Sequence, residues 1–330
     1  MRVEIVEDAF FKGDLEDLHH LINTCLYRNH HTVRVPYHKI KASGNYTDLN
    51  KRDRTILEAT FESESFSTKS PAQVRISEER KTSNYLNIEE AIRYLKQPVG
   101  IVLENNLNDQ FFFDAIVKHL ADDNLLSTHF KNGWIEYING GGCDNIPNVL
   151  EGKANSFINL PKEKNHYLRV YILFDSDSKY PNAPLKDSYK KIFPKLQLLG
   201  IPFHLLHKRS MENYLPDEAF SEIGSITKEY KLAYLRMNSE QKDFFSIQKG
   251  FENVSDRTAL EPDVQTLYSS LNEEDFLILK QGAKMANFKS EFPKYMTHHS
   301  VHRSTLNGRQ KDQPDPNELQ KILMDLKELL

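Results

Sequence analysis

The chain is poor in cysteine. Two, Cys25 and Cys143, in 330 residues exclude a disulfide-dense secreted scaffold and any four-cysteine zinc site. Glycine and proline, 13 and 14, are too few for a collagenous or low-complexity chain. No uncharged run of about 18 apolar residues occurs, so no transmembrane helix is expected. A G-x-x-x-x-G-K-[ST] phosphate loop is also missing. The Gly152-Lys153 pair has Pro147 where the first glycine would stand and Ala154 where Ser or Thr would. Neither sign of charge dominates: 43 basic against 47 acidic side chains leave a net charge of −4. Contact with a polyanion therefore needs local patches or bound metal. The opening residues, MRVEIVEDAFFKGDLEDL, carry too many acids for a signal or transit peptide, and a cytoplasmic protein is expected.

What is present suffices for a packed core: 39% of residues are hydrophobic and 11% aromatic. The length suggests about two domains. Residues 1–98 read as a mixed α+β domain. Thr32–Pro36 and Ala72–Ile76 alternate like strands, Tyr46–Leu49 and Glu62–Ser70 read as loops, and Asn87 with Glu90 forms a reciprocal helix cap ahead of IEEAIRYL. Pro98 marks a boundary. From Val99 to Pro216 the pattern turns regular. Strands are expected at Val99–Glu104, Trp134–Ile138, Leu168–Phe174 and Pro202–Leu206, with helices at Asp109–Leu120 and Pro184–Leu199. Strand and helix in alternation imply parallel strands joined by right-handed crossovers, an α/β fold with a Rossmann-like sheet. Residues 217–330 read as helical, with segments at Glu229–Arg236, Glu273–Lys280 and Glu318–Leu329.

In an open parallel sheet, ligands bind outside the carboxyl ends of the strands. Glu104 ends the first expected strand, Asp175 and Asp177 end the third, and Lys208, Arg209 and Glu212 follow the fourth. Acids also sit at strand ends simply because loops are polar, so any one alone says little. Together they would hold hard divalent cations, which prefer oxygen ligands. Two such ions about 4 Å apart activate water and stabilise the leaving oxygen in phosphodiester cleavage.

The ordered set IVLENNLNDQFFFDAI, YINGGGCDNI, VYILFDSDSKYP and HLLHKRSMENYLP resembles the Toprim domain, and the last piece resembles nucleases of the OLD (overcoming lysogenization defect) family and related standalone defence nucleases. The resemblance covers about 99–216. It implies a Toprim-like catalytic domain that binds one or two Mg²⁺ (or Mn²⁺) ions through Glu104, Asp175 and Asp177, with Glu212 or Asp109 completing a second site. Lys208 or Arg209 would offset charge on the phosphate. Two departures stand out. The family has Gly after its first Glu, where this chain has Asn105. The OLD group has a second acid four residues after that Glu, where this chain has Asn108 with Asp109 next. Either Asp109 takes over or the metal is held more weakly.

The resemblance further implies a DNA or RNA substrate, the role of toxic effector in bacterial antiphage defence, and a separately encoded ABC-type or SMC-like ATPase partner docking on the flanking regions. Homo-oligomerisation is left open. The rivals are a catalytically inactive Toprim scaffold and a haloacid-dehalogenase-like phosphatase. The latter expects Thr four residues after its nucleophilic Asp, where Lys179 stands. His298, His299 and His302 have metal-ligand spacing but read more simply as a polar loop. His19-His20 and His30-His31 read as surface pairs, and Lys186, Lys190, Lys191 and Lys195 as a solvated helix face.

Overall fold

The computed structural model describes residues 1–25, 31–64, 72–80, 82, 84–251 and 254–330. Its strands form two four-stranded sheets in which every neighbouring pair is parallel. In the first sheet, Arg2–Ile5 (β1), Thr32–Arg34 (β2), Val74–Ile76 (β3) and Tyr85–Leu86 (β4) lie in the order β2-β1-β3-β4. Val3, Ile5, Val33, Val74, Ile76 and Leu86 share one core with Leu18, Leu21 and Ile22 of helix α1 (Leu15–Cys25), Leu57 of α2 (Lys51–Glu64) and Ala91 and Leu95 of α3 (Ile88–Leu95). Helix α3 starts on the expected reciprocal cap, with Glu90 N–H on Asn87 and Asn87 N–H on Glu90, each at 2.7 Å. The N-terminal third is thus a parallel α/β unit, which corrects the mixed α+β expectation.

Two local readings also change. The loop expected at Tyr46–Leu49 instead falls largely in a helical turn, Gly44–Asp48, because Ser43 Oγ accepts Tyr46 N–H at 3.1 Å. Residues 62–64 end helix α2, and the rest of the expected loop at 62–70 lies outside the described residues, as does His30.

The second sheet holds Val99–Leu103 (β5), Ile135–Asn139 (β6), Val170–Phe174 (β7) and Phe203–Leu205 (β8) in the order β6-β5-β7-β8. The central strands β5 and β7 are buried at every residue. They read as unbroken apolar runs because both faces of the sheet are covered. On one face Val102, Val170, Ile172 and Phe174 pack with Ile146 and Leu150 of α4 (Ile146–Ala154) and Ile192 and Leu196 of α5 (Asp187–Leu198). On the other, Ile101, Leu103, Tyr171 and Leu173 pack with Phe112, Phe113 and Ile116 of the helix Asn106–Leu120 and with Ile322 and Leu326 of the helix Glu318–Lys327. That core runs on without a break through the helices beyond residue 216. No helix of the described residues is long and apolar enough to cross a membrane.

The connection from β5 runs to β6 on one side, and the next crosses over to β7 on the other. This reversal opens a crevice between the carboxyl ends of β5 and β7, the topological switch point where ligands bind in such sheets. Glu104 and Asp175 are the residues that follow those two strands.

Candidate metal centre at the carboxyl edge of the second sheet

The backbone at this edge is tied strand to strand. Gly140 N–H bonds Leu103 O at 2.7 Å and Gly142 N–H bonds Glu104 O at 3.1 Å, so the glycine turn after β6 fixes the end of β5. Gly141 and Gly142 take φ of +66° and +90° there, a conformation that L side chains rarely adopt. After β7, Ser176 Oγ donates to Lys208 O at 2.8 Å and Asp177 N–H to Arg209 O at 2.8 Å, locking the Asp-Ser-Asp loop to the segment following β8. Asp177 itself sits at φ +52°. Aspartate tolerates this left-handed region better than most residues, and such strain concentrates at functional sites.

Side chains are placed with similar economy. Tyr189 Oη donates to Asp175 O at 2.6 Å and, more weakly, to Glu104 Oε1 at 3.4 Å. Met211 N–H donates to Asp175 Oδ1 at 3.0 Å, and Asn105 N–H to Asp109 Oδ2 at 2.8 Å. Asp177 is ion-paired with Lys186.

These acids raise one another's proton affinity. Asp175 is pushed well above the usual carboxylate range, first by burial and then by the negative charges of Glu212, Asp109, Glu104 and Asp177. Asp109 is raised to about 7 by burial, with Glu212 and Glu104 adding to it against the bond from Asn105. Glu104 is raised by burial and by Asp177, while Lys186 opposes. Asp175 is the hub of five carboxylates drawn from three separate loops and a helix start. No family model, curated protein or solved structure matches this chain, so the reading of the site rests on its own chemistry.

All five donors are carboxylates, the ligand type of hard divalent ions. Among the described residues, no three His, Cys, Asp or Glu side chains close on one point tightly enough to hold an ion directly. Mg²⁺ keeps several waters and is bound through one or two carboxylates plus substrate phosphate. The mutual repulsion of half-buried acids is relieved by a cation between them, and an all-oxygen, loosely gathered set fits a hydrated Mg²⁺.

The cations stand differently from expectation. Lys208 was expected to face the phosphate, but it is fully buried (0% exposed) and turned away from the acids. Its ammonium pairs with Asp243, donates to Arg309 O at 2.8 Å and lies 5.2 Å from the Tyr214 ring centre. Burial is the reason: no charge so deep persists without a partner. Arg209 lends its carbonyl to Asp177, while its guanidinium reaches Phe244 O at 3.4 Å, away from the acids. Of the Lys-Arg-x-x-Glu segment, only Glu212 joins the cluster. Asn213 instead bonds Lys242 O and Phe245 O at 2.7 and 2.9 Å, and buried Tyr214 bonds Glu318, so both dock the C-terminal helices.

Sequence reading missed Asp144 and Tyr189. Asp144 adds its charge to Glu104 from the turn after β6, and the strand-end rule applied to that strand finds it. Tyr189 lies on the buried face of α5 with Ile192 and Leu196, opposite the lysines, so its spacing marks it as core and not as a site residue. His302 caps the helix Arg303–Gln310 and His298 bonds Ser300, with no metal cluster among the described residues. His19 pairs with buried Asp53 at 2.5 Å, and His31 is buried against Leu95 O, so neither is a plain surface residue.

A pH dependence follows. Asp109 is near 3.8 unfolded and about 7 folded. Between these values the folded state binds more protons than the unfolded, so metal-free stability falls as pH rises through that window. Asp109→Asn, whose amide oxygen still accepts Asn105 N–H, should flatten the slope and gain about 1 kcal/mol near pH 7.5. Urea unfolding in EDTA at pH 5 and 7.5 measures this, and equal slopes in both proteins would contradict it.

Proposed function

We propose that the chain is a divalent-metal-dependent nuclease of the Toprim kind, hydrolysing phosphodiester bonds of DNA or RNA. The observation that carries the reading is the gathering of Glu104, Asp109, Asp175, Asp177 and Glu212 at the switch point of a parallel sheet, with Asp175 destabilised as an anion by the other four. One or two Mg²⁺ ions bound there would neutralise phosphate charge and activate water for attack. Glu104 and Asp175 stand at the carboxyl ends of adjacent strands and would supply the central oxygens. Asp177 contributes from the strained turn, and Asp109 and Glu212 from the flank. Tyr189 and the Met211 N–H hold Glu104 and Asp175 in position. Lys186 is the cation already seated among the acids, so it replaces Lys208 as the side chain placed to meet a phosphate oxygen.

The wider role proposed is that of a toxic effector in bacterial antiphage defence, controlled by an ATPase on a separate chain. The support is sequence resemblance together with the absence of a phosphate loop. The enzymatic reading is tested by incubating plasmid DNA and tRNA with the protein in Mg²⁺, Mn²⁺ or EDTA. Cleavage that requires the metal is expected, and undiminished cleavage in EDTA overturns the reading. Control in trans is tested by looking for an ABC-type or SMC-like ATPase gene beside this one and expressing the chain with and without it. Equal toxicity in both would sink it.

A further inference from the structure

Beside the acids lies a cavity of about 350 Å³ with cations at its rim, lined among others by Lys179, Arg209, Phe244, Lys249 and Glu261. Its volume falls within the range of about 300–1,000 Å³ typical of small-ligand pockets. It adjoins the Asp-Ser-Asp loop directly. Lys179 stands two residues beyond Asp177, and the carbonyl of Arg209 holds the Asp177 N–H at 2.8 Å. Lys179 pairs with Glu261, and Arg209 has no carboxylate partner among the described residues, only the long bond to Phe244 O at 3.4 Å. Among the described residues Arg209 is thus a lining cation with no acid paired to it, beside a site built wholly of carboxylates.

The lining is mixed, with aromatic rings on one side, and the wall is fixed. Phe251 meets the Phe245 and Tyr268 rings edge-on at 5.2 and 4.8 Å. The wall 246–251 is pinned by Phe251 N–H on Lys280 O at 3.1 Å and Ala283 N–H on Ile247 O at 2.8 Å. A Cβ on Gly250, at φ +62°, would fall 2.1 Å from Leu279 O, so the two segments approach as closely as glycine permits.

We propose that this cavity binds one unpaired nucleotide of the substrate strand, with its phosphate toward Arg209 and Lys179 and its base toward the aromatic side of the lining. The inference rests on the nuclease reading and supplies what the acids lack. Carboxylates repel a phosphodiester, so the strand must be held by adjacent cations, and guanidinium is well matched to phosphate oxygens. A pocket of this size admits a base only outside a duplex, where its face is open to apolar and aromatic side chains. The substrate class is therefore nucleic acid with single-stranded or looped nucleotides at the cut.

The test is fluorescence anisotropy with a labelled single-stranded oligonucleotide of about a dozen nucleotides in EDTA, where no cleavage intervenes. Ala259→Trp fills the cavity from an exposed lining position, and Arg209→Gln removes the unpaired charge. Melting curves confirm that each variant is folded. Each should weaken binding about tenfold, and Arg209→Gln should reduce the salt dependence by about one ion. Wild type should bind a blunt duplex of the same sequence more weakly. Unchanged affinity in both variants overturns the proposal. So does tight binding of free AMP, lost in Ala259→Trp, with oligonucleotide binding intact, because the cavity then takes a free nucleotide. Failure of the nuclease reading shows separately, as absent metal-dependent cleavage by wild type. Loss of oligonucleotide binding in the variants would still support the pocket.

Discussion

Replacing Asp243 with alanine should lower folding stability by about 3–5 kcal/mol, the cost of breaking a buried ion pair by removing one partner. Asp243 is 4% exposed. Its Oδ1 accepts from the Lys208 ammonium and from Arg309 Nη2, the latter at 2.9 Å. Without it, two buried cations face each other, and among the described residues the Arg309 guanidinium keeps only Asn213 O, at 2.6 Å, as its bonded partner. The sign of the pH dependence distinguishes this cause from simple cavity formation. Burial first, and Arg309 next, hold Lys208 down to about 7 from 10.5. Between those values the folded state binds fewer protons than the unfolded, so the penalty for the lysine falls as pH rises. That relief is common to both proteins above about pH 7, but losing the Asp243 carboxylate lowers the folded Lys208 value further. The deficit of Asp243→Ala should therefore narrow as pH rises towards about 7 and stay level above it in chemical denaturation, whereas a packing defect would leave it constant throughout. The loss should reach the site as well, because Asp243 O holds Arg209 N–H at 2.9 Å and Arg209 O holds Asp177.

Asp175→Asn should reduce metal-dependent cleavage by at least about 10³-fold, or about 4 kcal/mol of transition-state stabilisation. The amide keeps an oxygen for Met211 N–H, so the loop stays in place and only the charge is lost. The same change should raise stability in EDTA by about 1 kcal/mol, because the hub of a like-charged, half-buried cluster is neutralised. Inactivity together with greater stability is the signature of charge kept for function. Cleavage rates and urea midpoints on one preparation measure both. An Asp175→Asn protein that is fully active, or inactive because unfolded, contradicts the account.

The second sheet was legible because its physics is local. Strands β5 and β7 are buried on both faces and therefore read as apolar runs, and a glycine triplet and an Asp-Ser-Asp turn punctuate the strand ends. Glu104, Asp175 and Asp177 came from that rule alone. Lys208 was misread because its partners are remote: Asp243 lies in the helix Ser239–Phe244, and Arg309 and Glu318 lie further still along the chain. A lysine after a strand looks solvated until distant helices close over it. Strand β1 was hidden for a different reason. Arg2 and Glu4 alternate with buried Val3 and Ile5, and a four-residue strand of that kind resembles a charged terminus. The acids of the site were legible as residue types, but Asp175 as their hub was not, since its repulsions come from four other positions in the chain.

Metal-linked unfolding tests the central claim without requiring substrate or partner. Melting of wild type and Asp175→Asn is followed in EDTA and across a Mg²⁺ titration at constant ionic strength. Wild type should gain stability as Mg²⁺ rises, by about 2.7 kcal/mol at a hundred times the dissociation constant. Asp175→Asn should start higher and stay flat, so that the two curves cross. A wild-type midpoint that does not move with Mg²⁺, or one that moves equally in both proteins, would show that these carboxylates are not a metal site.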